Sequence, residues 1–329
     1  MKKEPVLLLL MCFFCISLSA QELVILAQGT KTSFRGLSIV KNCIWVSGSG
    51  GTAGRSTDAG ETWQWFAVSG QEKNEFRDIE ALDSNTAIIM GISSPAYIFK
   101  TNDGGKTWKK VYQNEHPAMF LDAMAFKNRK EGMVIGDPIN GKIFVAETKD
   151  GGNTWRETNK LNLPSAKDGE AFFAASGTNI IWSGAQYCIV SGGITSRFFM
   201  NKTAVKLPTI QGDQMTGANG LAVQGKNILV VSGDYQNSDR ADSAFVYSTD
   251  AGKTWKLPST PTGGYRSCIC FAGKDTALAV GLSGIDITYD AGKNWKTIST
   301  EGFNTCAYSS IEKAVYCVGN NGRLGKILL

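Results

Sequence analysis

Three arginines recur in short windows of similar sequence. Arg35, Arg77 and Arg266 each follow an aromatic residue. Acidic residues stand in or near equivalent windows of the chain, namely Asp78, Asp122 and Glu170. Because a guanidinium binds a carboxylate through two parallel hydrogen bonds, three converging arginines predict a site for an anionic ligand. The same arginines and acids could instead pair with each other across a polar channel, and the sequence leaves both interpretations open.

Polar residues in the loops after several second strands extend this candidate surface. They are Tyr97, Asp137 and Asp234, and a long polar insertion covers residues 233–243. Long polar loops on one face of a scaffold commonly form its recognition surface. No catalytic residue is assigned. The predicted ligand-binding residues are Arg35, Arg77, Asp78, Asp122, Glu170, Arg266, Tyr97, Asp137 and Asp234.

Several other chemistries lack the residues they require. His116 is the only histidine, which excludes histidine-based triads and histidine-rich metal sites. The glycine-rich run at residues 48–53 leads into a strand and a turn rather than a helix, so it does not fit a dinucleotide site. No cofactor and no metal is therefore expected. The formal charge of +5 includes no basic run, which argues against a nucleic-acid partner.

An eight-residue motif, [Ser/Thr]-x-Asp-x-Gly-x-[Thr/Asn]-Trp, recurs five times and indicates which elements must position these residues. Its aspartates are Asp58, Asp103, Asp150, Asp250 and Asp290, at spacings of 45, 47, 100 and 40 residues. The carboxylate can accept hydrogen bonds from turn N–H groups, the glycine permits a positive φ, and the tryptophan covers the turn. We interpret the motif as a structural lock on a hairpin turn.

The motif resembles the Asp-box of the BNR-type repeat families, which include sialidases, sortilin-type receptors and Ycf48-type photosystem II assembly factors. The resemblance covers roughly residues 30–329. It implies a β-propeller whose boxes lie on outer hairpins, away from the central channel. The Phe-Arg-Gly and Phe-Arg-Asp windows and the Asp-Gly-Gly-Lys-Thr-Trp boxes are most similar to the Ycf48-type branch. That branch implies a non-enzymatic role in binding or assembly.

The resemblance also implies an enzymatic alternative, a glycoside hydrolase of sialidase type. Such an enzyme needs an arginine triad and a tyrosine nucleophile with an acidic partner. Tyr97 or Tyr235 could take the first role, and Glu80 or Glu170 the second. The Arg-Ile-Pro signature of sialidases is absent from this chain. The preferred interpretation is therefore a protein that holds a protein or an anionic ligand, glycans included, over an arginine-lined face.

The spacing of the boxes predicts the number of blades. A period of 40–50 residues matches one four-stranded propeller blade. The double gap after Asp150 contains a unit without a box, residues 169–207. The last unit, residues 304–329, supplies three strands, and Glu22–Ala27 could supply the fourth. We predict an all-β, seven-bladed propeller closed by its N-terminal strand, with six or eight blades as alternatives.

Residues 1–20 are predicted to be a cleaved secretory signal, because Lys2 and Lys3 precede an apolar run that ends in Ser-Leu-Ser-Ala. Residues 21–329 are predicted to form a single, monomeric propeller domain, periplasmic or secreted and without a lipid anchor. No later apolar run reaches the ~18 residues of a membrane span. For the six cysteines of this part we favour buried thiols, and Cys306–Cys317 is the first candidate disulfide.

Overall fold

The computed structural model describes residues 21–158 and 163–329, and every regular element in these ranges is a β-strand. The strands form seven antiparallel sheets, so the predicted seven-bladed, all-β propeller is confirmed. The predicted signal segment, residues 1–20, lies outside the described residues. Within the described part of the chain, no helix has the length and apolar character needed to cross a membrane.

The strands of each blade pair mostly in chain order. The first strand is β1 (Leu23–Ala27), which belongs to blade seven. Blade one contains β2 (Phe34–Val40), β3 (Cys43–Gly48), β4 (Thr52–Ser56) and β5 (Gln64–Ala67). Blade two contains β6 (Phe76–Ala81), β7 (Ala87–Gly91), β8 (Ala96–Thr101) and β9 (Lys109–Asn114). Blade three contains β10 (Leu121–Phe126), β11 (Gly132–Ile139), β12 (Lys142–Thr148) and β13 (Arg156–Glu157).

The remaining blades show more variation. Blade four contains β14 (Glu170–Ala171), β15 (Ile180–Ser183), β16 (Gln186–Gly193), β17 (Arg197–Met200) and β18 (Thr203–Lys206). Blade five contains β19 (Gly220–Gln224), β20 (Asn227–Val231) and β21 (Phe245–Ser248). Blade six contains β22 (Cys268–Phe271), β23 (Ala277–Gly281), β24 (Gly284–Thr288) and β25 (Lys296–Ser299). Blade seven contains β26 (Thr305–Ser309), β27 (Ala314–Val318) and β28 (Leu324–Leu328), with β1 as its outer strand.

Blade seven closes the ring by combining both ends of the described chain. Leu23 on β1 lies opposite Ile327 on β28 in an antiparallel pair, which confirms the predicted closure by the N-terminal strand. The first strand of blade seven, β26, also packs against β2 of blade one. The innermost strands therefore follow each other around a closed ring. β28, which already pairs with β27, gains β1 as a second partner on its outer edge.

Blade five departs from the predicted four-strand plan because of a proline. After its box, the chain returns along β21 for a single bridge, in which the N–H groups of Tyr247 and Lys256 each donate to the other's carbonyl. The next residue to face β21 in this alternation would be Pro258, opposite Phe245. Proline has no N–H to donate, so the ladder ends there and blade five keeps three full strands.

All five boxes form the same hydrogen-bonded turn. In the first, Asp58 Oδ1 accepts the N–H of Thr62 at 2.9 Å, and Ser56 Oγ accepts the N–H of Gly60 at 2.8 Å. Ala59 and Gly60 both have positive φ, 58° and 93°. These bonds lower the pKa of Asp58 to about 2, chiefly through the hydroxyl and N–H of Thr62. The turn thus uses the aspartate as an ionised acceptor.

Each box also packs against the blade before it. A Cβ built on Gly105 would lie 2.7 Å from the ring of Phe66 in blade one, and one on Gly252 would lie 2.6 Å from Phe198 in blade four. Trp255 and Trp295 meet Phe198 and Phe245 edge-on, at centroid distances of 5.1 and 4.9 Å. The box glycine is therefore needed for close approach between blades as well as for the turn.

Candidate functional site

The innermost strands of blades one to three begin with a β-bulge. In blade one, Phe34 pairs with Gly48 and Gly36 with Ser47, which leaves Arg35 unpaired. The same register shift leaves Arg77 unpaired in blade two and Asp122 unpaired in blade three. A bulge redirects the side chain of its extra residue. Arg35, Arg77 and Asp122 thus occupy equivalent positions at the start of their blades.

Glycines in the second strands of blades one and three make room for these bulges. A Cβ on Gly48 would lie 2.4 Å from the carbonyl oxygen of Ser33, and one on Gly136 would lie 2.4 Å from that of Phe120. In blade six, a Cβ on Gly281 would lie 2.3 Å from the carbonyl oxygen of Tyr265. This close approach was not predicted from the sequence, although Gly48, Gly91 and Gly281 each end the second strand of a blade.

In blades five to seven the corresponding positions hold small polar residues that link neighbouring blades. Asn219, Ser267 and Asn304 each donate their N–H to the last residues of the second strand. Asn304 Nδ2 donates to the carbonyl of Phe34 at 2.8 Å, and Ser267 Oγ donates to the carbonyl of Asn304 at 2.6 Å. With its amide oriented to satisfy its neighbours, Asn219 donates to the carbonyl of Arg266 at 2.9 Å. These three side chains therefore form hydrogen bonds that hold neighbouring blades of the ring together.

Arg35 and Arg77 differ, because their side chains extend into the mouth of the channel. Arg35 Nη1 donates to the carbonyl of Ala175 at 3.1 Å, while Arg77 Nε donates to Glu75 Oε2 at 2.7 Å. Burial, together with the charge of Arg77, lowers the pKa of Arg35. Two like charges thus lie close enough to repel each other, and a bound anion would relieve that repulsion.

The mouth is a cavity of about 570 Å³. Arg35 and Arg77 line one part of it, and Tyr235 and Leu282 stand on its rim with 39% and 40% exposure. Aromatic and arginine side chains around a concave surface are typical of protein-binding sites. The remaining lining includes Phe120, Asp137, Glu170, Phe172, Phe173, Gln214, Met215, Tyr265, Ser267 and Asn304.

Residues 172–179 of blade four cross the channel and form the floor of this cavity. The segment leaves β14 and returns at β15, and Ala175 meets Arg35 of blade one as described above. Ser176 Oγ donates to the carbonyl of Ser267 in blade six at 2.7 Å. A Cβ on Gly177 would lie 2.4 Å from Asp78 Oδ1 of blade two. This plug segment was not anticipated from the sequence, where its only sign is a run of small residues within the unit that lacks a box.

Glu170 lines the mouth but is paired within the protein. Arg197 Nε donates to Glu170 Oε1 at 2.8 Å, and Arg197 Nη2 lies 2.5 Å from Glu170 Oε2. Both side chains are buried, with side-chain exposures of 8% for Arg197 and 0% for Glu170. The pair anchors the start of the plug segment. Glu170 is therefore held by Arg197 within the protein, although it lines the same cavity as Arg35 and Arg77.

The other acids near the channel are held in apolar or backbone surroundings. Asp78 accepts the N–H groups of Ile79 and Met124 at 2.8 and 2.6 Å, and burial raises its pKa to about 8. Neither carboxylate oxygen of the buried Asp122 has a hydrogen-bond partner among the described residues. Burial and the nearby Asp137 carboxyl raise the pKa of Asp122 well above its usual range. Neither Asp78 nor Asp122 forms a salt bridge with Arg35 or Arg77 in the described chain, where Arg77 pairs with Glu75.

Asp137 is the one predicted acid that both lines the mouth and lies outside a side-chain ion pair within the described chain. Its Oδ1 accepts the N–H of Phe172 at 2.8 Å, which fixes the entry to the plug segment. Burial raises the pKa of Asp137. Asp137 therefore places a carboxyl group in the same cavity as the two arginines.

The expectation that three arginines converge is wrong for Arg266. This residue is fully buried, and its Nε donates to Asp286 Oδ2 at 2.8 Å. The carboxylate of Asp286 is equally buried and also accepts the N–H of Gly263 and the hydroxyl of Thr297. Arg266 thus belongs to an internal ion pair of blade six, because a carboxylate on β24 lies within its reach.

Tyr97 and Asp234 also lie apart from the residues that line the mouth. Tyr97 on β8 packs against Phe99 at 5.9 Å between ring centroids, and Lys110 Nζ lies over its ring. Asp234 accepts the N–H groups of Gln236 and Asn237, so it stabilises the turn that opens the long insertion. Tyr235, the next residue, does reach the mouth.

Comparison with known proteins supports the repeat and the fold. The BNR/Asp-box repeat family matches residues 246–257, which contain the fourth box. No curated protein matches the chain. Among solved structures, Ycf48 bound to a D1 peptide superimposes with a TM-score of 0.68 at 13% identity, over 95% of this chain and 96% of that one. Ycf48 from Cyanidioschyzon merolae gives 0.68 at 14%, over 94% and 99%.

A glycoside hydrolase is also similar in fold. The GH74 xyloglucanase from Xanthomonas campestris superimposes with a TM-score of 0.66 at 11% identity, over 93% of this chain and 53% of that one. This chain therefore spans about half the length of that enzyme. Identities this low establish shared architecture alone. With its recurring turn motif, its seven sheets and these likenesses, the chain is a seven-bladed β-propeller built on BNR/Asp-box repeats and similar in fold to Ycf48.

Proposed function

We propose that this protein is a non-enzymatic binding or assembly factor that holds a protein partner through an acidic group at the Arg35–Arg77 mouth. The observation that carries the proposal is the contrast around the ring. The equivalent residues of blades five to seven join neighbouring blades, whereas both arginines line an open cavity, and Arg35 in addition donates to the carbonyl of Ala175. At this position of the first strand, small polar residues are therefore sufficient to join the blades, and arginine is not needed for that role.

The surroundings of the arginine pair favour a protein over a small anion. Leu282 and Tyr235 offer exposed apolar and aromatic surface on the rim, beside the charged wall. A protein segment that presents a carboxylate next to an apolar side chain would satisfy both parts. Burying the aromatic anchor and the ion pair together gives more binding energy than either contact alone.

The structural likeness to Ycf48 supports the same class of function. One of the similar structures is Ycf48 bound to a D1 peptide, which shows that this architecture can hold a peptide in that protein. For the present chain, the partner is inferred from the chemistry of its own mouth. Export of the mature chain, as the N-terminal sequence predicts, and a monomeric state complete the proposal.

A glycoside hydrolase remains the second candidate, because the xyloglucanase shares the fold. Glycoside hydrolysis generally requires two carboxyl groups that flank the scissile bond, one able to donate a proton and one ionised. Glu170 at the mouth is held by Arg197, and Tyr97 lies elsewhere. The available carboxyl group, Asp137, lacks a free carboxylate partner among the lining residues, so the geometry favours binding.

Affinity capture from the envelope fraction of the source cells would test the proposal. The baits are the mature protein and its Arg35→Ala, Arg77→Ala and Arg129→Ala variants. Arg129 is the matched control, since it is an ion-paired surface arginine with 70% side-chain exposure. We expect partners that are lost in the first two variants, retained in the third and released by salt.

Equal capture by all four baits would refute the arginine mouth as the binding site. A panel of fluorogenic glycosides and sialosides tests the second candidate directly. Turnover that is lost on Tyr235→Phe or Asp137→Asn substitution would favour the hydrolase, and it would contradict the binding proposal.

A further inference from the structure

Four cysteines gather in the core between blades six and seven. Cys268 and Cys270 are two residues apart on β22, so their side chains share one face of the blade. Cys306 on β26 projects between them, with its Sγ 3.7 Å from Sγ of Cys268 and 3.6 Å from Sγ of Cys270. Cys317 lies opposite Cys306 in the β26–β27 pair. The structure shows all four as free thiols.

We propose that Cys270 and Cys306 form a disulfide that joins the innermost strands of blades six and seven. Exposure selects Cys270 as the first residue to react, because it is half-buried while Cys268 and Cys306 are 0% and 3% exposed. Proximity selects Cys306 as its partner. Bond formation brings these two sulfurs from 3.6 Å to about 2.05 Å. The first candidate disulfide from the sequence, Cys306–Cys317 within one hairpin, is thereby replaced by a link between blades.

The reaction is thiol–disulfide exchange with a protein or low-molecular-weight disulfide as the oxidant. The Cys270 thiolate attacks one oxidant sulfur, which forms a mixed disulfide and releases one oxidant thiol. The Cys306 thiolate then attacks Cys270 Sγ and releases the second oxidant thiol. Two cysteine thiols are oxidised, the oxidant disulfide is reduced, and the two cysteine protons end on the released thiols. The predicted export of the chain would bring it to a compartment where such oxidants operate.

The proposed bond would connect blade seven to blade six at a point away from the closure of the ring. Blade seven holds both ends of the described chain and is closed by hydrogen bonds between β1 and β28. A covalent bond from β26 to β22 would keep blade seven on the ring when those outer strands separate. Burial alone does not explain the cluster, since the buried Cys43 and Cys188 have no hydrogen-bonded cysteine sulfur in the described chain, unlike Cys306.

The mature chain is purified with a reductant, exchanged into oxidised glutathione under native conditions, and digested after alkylation of free thiols. We expect a Cys270–Cys306 crosslinked peptide and a protein that is lighter by two hydrogen atoms. The oxidised form should unfold at a higher temperature than the reduced form. Cys188→Ser serves as the matched control and should behave like the wild type, whereas Cys306→Ser should lose both the crosslink and the redox-dependent shift in melting temperature.

Cys270→Ala and Cys306→Ala should both fold, because small side chains fit these positions, and their circular dichroism spectra check this. Six free thiols after native oxidation, with crosslinking of the same chain in denaturant as proof that the oxidant works, would overturn the proposal. A crosslink between Cys306 and Cys317, or between Cys306 and Cys268, would likewise refute the assignment to Cys270.

Discussion

Replacing Arg266 and Arg77 separately by methionine distinguishes an internal ion pair from a binding residue. Arg266 Nε lies 2.8 Å from Asp286 Oδ2, and both side chains have 0% exposure. Removing one partner of a buried pair typically costs about 3–5 kcal/mol of unfolding free energy. Asp286 keeps its hydrogen bonds from Gly263 and Thr297, so we expect about 3 kcal/mol for Arg266→Met. Arg77 pairs with Glu75 at a side-chain exposure of 26%, so Arg77→Met should cost about 0–1 kcal/mol.

Urea denaturation followed by tryptophan fluorescence and by circular dichroism measures both changes, and coincident curves show whether a single transition applies. The affinity capture described above supplies the functional readout. Arg77→Met should fold like the wild type and lose its partner, whereas folded Arg266→Met at low temperature should retain it. A loss below about 1 kcal/mol for Arg266→Met, or loss of the partner by folded Arg266→Met, would refute the separation of the two roles.

Three further predictions follow from the geometry. Gly48→Ala places a Cβ 2.4 Å from a carbonyl oxygen and should lower the unfolding free energy by about 1–3 kcal/mol. Gly91→Ala is the control, because the nearest contacts of its Cβ are at 3.7 Å, and it should be nearly neutral in the same denaturation assay. Equal effects of the two substitutions would contradict the argument from close approach. Because burial raises the pKa of Asp78 from 3.8 to about 8, the folded state holds its proton where the unfolded state has lost it. Stability should therefore fall as pH rises from about 4 to about 8. Asp78→Asn should flatten that decline in melting temperature, and an unchanged slope would assign it to other groups. Asp103→Ala removes the acceptor of the Thr107 N–H at 3.0 Å, so it should lower the melting temperature, while partner capture persists. Loss of capture at an unchanged melting temperature would place the box in the binding site.

The boxes made the architecture predictable from local sequence. Each is a short turn whose hydrogen bonds run between residues at most four positions apart, so its chemistry can be read without knowing the rest of the fold. Repetition at blade length then gave the number of units, and the double gap revealed the blade without a box. Pro258 was also visible, but its effect on blade five depends on the strand register that places it opposite Phe245.

The candidate site was predicted in part. Arg35 and Arg77 reach the mouth as expected, and their windows were recognisable because the same aromatic-arginine pair recurs. Arg266 also follows an aromatic residue but is buried in an ion pair, because the pairing of β23 with β24 brings Asp286, 20 residues later, beside it. The bulge register also places Asp122 of blade three at the position that Arg35 and Arg77 occupy in blades one and two. One residue of slip changes the direction of a side chain in a strand.

By itself, the sequence determined the repeat, the turn chemistry and the closure by the N-terminal strand, because these depend on residues near each other or on a period that is counted directly. Only the tertiary structure decided which charged side chains are paired inside the blades and which ones line the mouth. The plug segment, the Glu170–Arg197 pair and the contact of Cys306 with Cys270 all join residues from different strands or blades. Hydrogen bonds and ion pairs depend on distances of a few ångströms between such residues, and those distances are set by the packing of the whole ring.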